Sequence, residues 1–261
     1  MNKITLNVPD GIEHLSEWQE LWNTLPTNQH YILNKRICGC GATEAYIRSD
    51  KKVILASPRK HLLYNKYSQH LKDNLHLYRF TGNKKKYFES RTTSPTDILA
   101  FNDSLTGYIK SGGNKILTTY DSLRKIMEAL KDSGENLSQW IVVVDEFQAI
   151  FYDCQYKAIT EYEFCQVLQK FPTVVYLSAT PYLESYLDKI EQFKDLLVYE
   201  LLWSEAMTQL PNVEVVKSKK SVSELCSDLI EKYRSGNGKS TIVNGQLTNI
   251  HNYIADYQCK I

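Results

Sequence analysis

The feature that most constrains this chain is a series of short apolar runs, rich in β-branched residues, that return at intervals with helix-like stretches between them. Lys52 to Ala56, Lys115 to Thr118, Ile141 to Val144 and Val174 to Leu177 are each predicted to be strands. Continuous apolar runs of this kind suit strands covered on both faces, the condition of a parallel sheet with crossover helices. His30 to Ile37 reads as a less pure strand leading into a glycine loop. His14 to Leu25, Arg59 to Leu71, Ser122 to Leu130, Glu161 to Lys170 and Tyr182 to Ile190 carry apolar residues at three- and four-residue spacing and are predicted to be helices. The expected class is α/β, a mostly parallel sheet flanked by helices and doubly wound.

A chain of 261 residues has room for one sizeable α/β domain and part of another. Leu210-Pro211-Asn212 breaks the rhythm, and Val213 to Val216, Ser223 to Tyr233 and Thr241 to Asn244 then suggest strand, helix, strand. The expected division is residues 1–210 as a first domain and 211–261 as the beginning of a second. Thr81 to Thr96 is polar, contains Lys84-Lys85-Lys86, and is expected to be a surface loop.

Lys and Arg number 31 against 30 Asp and Glu, so the overall balance does not mark a nucleic-acid binder and any such surface must be local. The cysteines Cys38, Cys40, Cys154, Cys165, Cys226 and Cys259 are scattered apart from one Cys-x-Cys, which argues for reduced thiols over a metal site. Met1 to Thr5 lacks the basic-then-apolar run of a signal peptide, and no apolar stretch approaches the ~20 residues that span a bilayer. A cytoplasmic protein with no membrane partner is expected.

Chemistry-bearing residues stand at the ends of the expected strands. Ile141 to Val144 runs into Asp145-Glu146, and ligands of open α/β sheets bind at that edge. Phosphoryl transfer from ATP needs a carboxylate near Mg²⁺ and a group that orients the attacking water; Asp145 suits the first task and Glu146 the second. Cys38-Gly39-Cys40-Gly41-Ala42-Thr43 lies between a strand and a helix. Its glycines allow successive backbone N–H groups to turn toward a phosphate, and Thr43 stands where a hydroxyl could ligate Mg²⁺. Val174 to Leu177 ends in Ser178-Ala179-Thr180-Pro181, small hydroxyl residues that can cap a helix or couple one strand end to a moving lobe.

In order, the glycine loop, Ala56-Ser57-Pro58-Arg59, Thr118-Thr119-Tyr120-Asp121, Asp145-Glu146-Phe147-Gln148 and Ser178-Ala179-Thr180 resemble the first lobe of superfamily-two helicases and translocases of the DEAD/DEAH-like kind. The resemblance covers roughly residues 30 to 185. It implies a RecA-like P-loop NTPase fold and a nucleic-acid-dependent ATPase with ATP and Mg²⁺ as cofactors. By it, Gly39, Cys40, Gly41, Ala42 and Thr43 hold the phosphates, Thr43 and Asp145 the metal, and Glu146 the water. Gln148, Ser178 and Thr180 couple to a second lobe, and Pro58, Arg59, Thr119 and Tyr120 face a nucleic-acid backbone, DNA ahead of RNA.

Two departures qualify it. The family loop is Gly-x-Gly-Lys-Thr, and Ala42 stands at the lysine. Either Lys35 or Arg36 supplies the missing charge, or the site holds nucleotide weakly and the chain is a non-catalytic nucleic-acid-binding or scaffolding module. The segment from Val213 is similar to the start of the family's second lobe but stops before its later motifs, so the rest of that lobe is expected in the same or another chain. Ser235-Gly236-Asn237-Gly238-Lys239-Ser240 mimics a phosphate loop but runs from helix to strand, the wrong order, and reads as a glycine turn.

Overall fold

Residues 2–78, 104–152, 154–179, 187, 189–204 and 224 are described by a computed structural model. Their strands are β1 (Lys3–Asn7), β2 (His30–Asn34), β3 (Lys52–Ser57), β4 (His76–Leu77), β5 (Lys115–Thr119), β6 (Trp140–Val144), β7 (Thr173–Ser178) and β8 (Leu197–Leu202). Among the described residues these make one sheet in the order β1-β8-β2-β7-β6-β3-β5-β4, with every pair parallel. The α/β class with a parallel sheet flanked by helices is thus observed.

Strand side chains alternate between two apolar clusters. Ile32, Ile54, Ile116, Val142, Val144, Val174 and Tyr176 belong to one; Leu33, Val53, Leu55, Leu117, Val143, Val175 and Leu177 belong to the other. Both faces are therefore buried, which explains why these strands lack an apolar–polar alternation. On the first face pack α4 (residues 104–110) and α5 (Leu123–Asp132), through Leu105, Ile109, Ile126 and Leu130, together with the end of α7 (Cys154–Leu168), through Phe164 and Leu168. On the second pack α1 (Gln19–Thr24), α2 (Ala42–Arg48) and α3 (Lys60–Gln69), through Leu21, Tyr46, Ile47 and Leu63. A short α6 (Ala149–Tyr152) follows β6.

Three expectations change. The helix expected over His14 to Leu25 is a 3₁₀ turn, Leu15–Glu17, followed by α1, with a break at Trp18. The strand expected to reach Ile37 stops at Asn34, because Arg36 has φ 61 and leaves the extended region. β1, β4 and β8 were not expected; β1 is exposed along most of its length and carries no apolar run.

The chain divides into two compact units, Met1–Thr208 and Gln209–Ile261, and all the strands above belong to the first. Apart from Glu224, the segments expected at Val213 to Asn244 lie outside the described residues, as do the expected loop at Thr81 to Thr96, the glycine turn at Gly236 and most of Tyr182 to Ile190. Among the described residues no helix is long and apolar enough to cross a membrane.

Candidate functional site

In an all-parallel sheet the carboxyl ends of all strands share one edge. Lys35, Pro58, Thr119-Tyr120, Asp145-Glu146, Ser178 and Trp203 gather there because each ends or follows a strand. β7 lies between β2 and β6, so Ser178 stands between the glycine loop and the acidic pair.

The backbone of Lys35 is held on both sides. Its N–H donates to the carbonyl of Ser178 at 2.8 Å, and its carbonyl accepts the indole N–H of Trp203 at 2.8 Å. The same carbonyl accepts the N–H of Ile37 at 2.6 Å, closing a three-residue turn about Arg36 with φ 61. The chain then passes through Gly39 and Gly41 at φ 75 and 78, values that glycine adopts without cost. Gly41 also lies close to the preceding segment: a Cβ there would stand 3.3 Å from the Cβ of His14, and the carbonyl of Cys40 accepts the N–H of Leu15 at 2.8 Å. Ala42 and Thr43 begin α2, 2% and 4% exposed, and Ala42 belongs to the apolar cluster. Burial pushes the Cys40 thiol up from its usual range, and the Lys35 charge is the main influence opposing it. Glu44 pairs with Arg48 at 2.6 Å along α2.

Asp145 is anchored through its main chain, its N–H donating to the carbonyl of Ala56 at 2.9 Å and its carbonyl accepting the Tyr120 hydroxyl at 2.7 Å. Its carboxylate is buried. The Lys35 Nζ stands 3.9 Å from Oδ1, beyond hydrogen-bond reach, and that oxygen has no hydrogen-bond partner. Glu146 follows with φ 56, a left-handed conformation that costs a non-glycine residue about 1–2 kcal/mol. Its Oε2 accepts the Gln148 side-chain amide, and Gln148 Oε1 in turn accepts the Ser178 hydroxyl at 3.2 Å. A line of side chains thus joins β7 to the acidic pair, including two of the three expected coupling residues; Thr180 lies outside the described residues.

Two participants went unnoticed in the sequence. Glu200, 5% exposed on β8, receives Lys3 at 2.8 Å and also the Arg36 guanidinium. Trp203 fixes Lys35 and, with Val8, Pro9 and Ile12, lines a pocket of about 150 Å³. The usable signal was a lone carboxylate inside the strand-like Leu197–Leu202.

Of the residues expected to face nucleic acid, Arg59 is exposed at the start of α3 and Pro58 is half-buried. Thr119 is buried, its hydroxyl donating to that of Ser122 at 3.3 Å. Tyr120 is turned inward: it is 4% exposed, its ring stacks on Phe164 at 4.2 Å and its hydroxyl donates to the Asp145 carbonyl. Its apolar ring gains more from the core than from the edge.

Among the described residues no three His, Cys, Asp or Glu side chains cluster as a metal site, so a cation here would depend on Asp145, hydroxyls, water and its own ligand. Comparison with protein-family models and with curated proteins gives no match.

Proposed function

We propose that this chain is the RecA-like, nucleotide-binding lobe of an ATP-dependent nucleic-acid helicase or translocase. The observation that carries the reading is the approach of Lys35, the residue that leaves β2 toward the glycine loop, to the acidic pair, with its Nζ 3.9 Å from Asp145 Oδ1. The residues fit Mg²⁺-ATP. A buried carboxylate oxygen has no hydrogen-bond partner, and the space beside Gly39 in the loop is open. Mg²⁺ takes one or two protein carboxylates and completes its shell with phosphates and water, which suits Asp145 and the Thr43 hydroxyl without a three-ligand protein cage.

When bound, Mg²⁺-ATP supplies the phosphoanhydride to be cleaved and a cation that spreads phosphate charge. Glu146, held by Gln148, orients the attacking water and accepts its proton. Ser178 and Gln148 connect that carboxylate to β7. Arg59 offers a planar fork to a backbone phosphate.

The alternative, a nucleic-acid-binding module without catalysis, is favoured by one observation, the burial of Ala42 where the family has its lysine. Equilibrium binding of a fluorescent ATP analogue with Mg²⁺ to the 261-residue chain separates the two, with single-stranded DNA and RNA absent and then present. Saturable binding that Asp145→Ala abolishes and Glu146→Gln retains supports the motor. Nucleic-acid binding indifferent to nucleotide, with no analogue bound at millimolar concentration, supports the module.

A further inference from the structure

We infer that Lys35 supplies the phosphate-binding charge of this site, whereas Arg36 is a structural residue; this rests on the nucleotide reading above and names the group by which polyphosphate is recognised. The sequence leaves both cations open, one residue apart, and the backbone separates them. The turn about Arg36, closed by Ile37 N–H on the Lys35 carbonyl, divides the two side chains between different partners. Arg36 goes to Glu200.

Glu200 is a buried carboxylate that forms ion pairs with the Arg36 guanidinium and with Lys3, both similarly exposed, the Arg36 contact being one of charge with no directed hydrogen bond at Oε1. Withdrawing Arg36 to a ligand would leave that carboxylate with half its compensation, a costly loss at such a depth. Lys35 is differently placed. Its side chain is 10% exposed, and its ammonium stands 3.9 Å from Asp145 Oδ1, too far for a hydrogen bond. Asp145 Oδ1 is itself buried and has no hydrogen-bond partner. The ammonium stands too far from the carboxylate to donate to it, and Asp145 Oδ1 has no hydrogen-bond partner, so the first can donate to a ligand and the second can accept from one. An anionic phosphate oxygen satisfies the first, and a hydrated cation satisfies the second. Ala42 meanwhile lies in the apolar cluster, so the charge has moved from the start of α2 to the end of β2.

The test compares Lys35→Gln, Lys35→Arg and Arg36→Gln in the full chain, with thermal unfolding to confirm that each folds. Each is titrated with Mg²⁺ and fluorescent analogues of ATP, ADP and AMP. A charge-assisted hydrogen bond to phosphate predicts that Lys35→Gln weakens the triphosphate about tenfold to a hundredfold and the monophosphate far less. Lys35→Arg is expected to recover part of the loss, and Arg36→Gln to leave the affinities within about threefold while unfolding at a lower temperature. Unchanged triphosphate affinity in Lys35→Gln overturns the assignment, as does an equal loss for all three nucleotides or a phosphate-dependent loss in Arg36→Gln. Absence of binding by the unaltered chain defeats the nucleotide reading itself, a different failure.

Discussion

The phenolic hydroxyl of Tyr120 donates to the main-chain carbonyl of Asp145 at 2.7 Å, tying the end of β5 to the end of β6 across the intervening β3. Burial, reinforced by the charges of Asp145 and Glu161, holds the phenol well above its ordinary pKa, so it remains a donor at any working pH. Tyr120→Phe keeps the ring on Phe164 but leaves a buried carbonyl short of a partner. The expected cost is about 1–3 kcal/mol, read as a lower urea midpoint with an unchanged slope.

Glu146 bears a left-handed backbone at φ 56. At an ordinary position glycine is the less stable replacement, whereas here Glu146→Gly should exceed Glu146→Ala by about 1 kcal/mol. Urea denaturation of the two variants checks the order, and Ala above Gly would show that the turn relaxes.

Asp145 and Lys35 form a buried pair. Asp145→Ala strands the ammonium and is expected to cost about 3–5 kcal/mol; Lys35→Met in the same chain should return part of it. A double-mutant cycle measures the coupling, and simple additivity would mean that water already satisfies both groups.

Gly39 and Gly41 share a positive φ but differ in their surroundings. Nothing stands within 4 Å of a Cβ at Gly39, whereas one at Gly41 meets His14 at 3.3 Å. Gly39→Ala should therefore cost about 1–2 kcal/mol from its backbone alone, and Gly41→Ala more, with a weaker nucleotide affinity because the loop must shift. Thermal unfolding and analogue binding on both variants test the contrast.

His76 lies beside the Tyr108 ring, and burial pushes its pKa down to about 4. Burial also lowers His30, against the opposing effect of its hydrogen bond to the Phe171 carbonyl. A depressed histidine binds its proton more readily unfolded. The stabilisation is whole above the unfolded value near 6.5 and falls away as pH drops toward 4, by on the order of 2–3 kcal/mol for His76. Urea midpoints from pH 7 to 4.5 should decline, and His76→Gln should flatten that slope.

The sequence alone determined the inner part of the sheet. β3, β5, β6 and β7 are continuous apolar runs because both of their faces are buried, and burial on two sides leaves little freedom in composition. The same runs placed Asp145, Glu146 and Ser178 at strand ends, where local order fixes position. The outer strands were less legible: β1 is held by main-chain bonds to β8, which any residue but proline can make. Only the tertiary structure gave Lys35 and Arg36 different partners, because these come from Asp145 and Glu200, 110 and 164 residues away along the chain. It alone turned Tyr120 inward, since the stacking ring of Phe164 arrives from a helix beyond β6. Local propensity settles which residues extend or coil; which charge meets which depends on strand order, a property of the whole sheet.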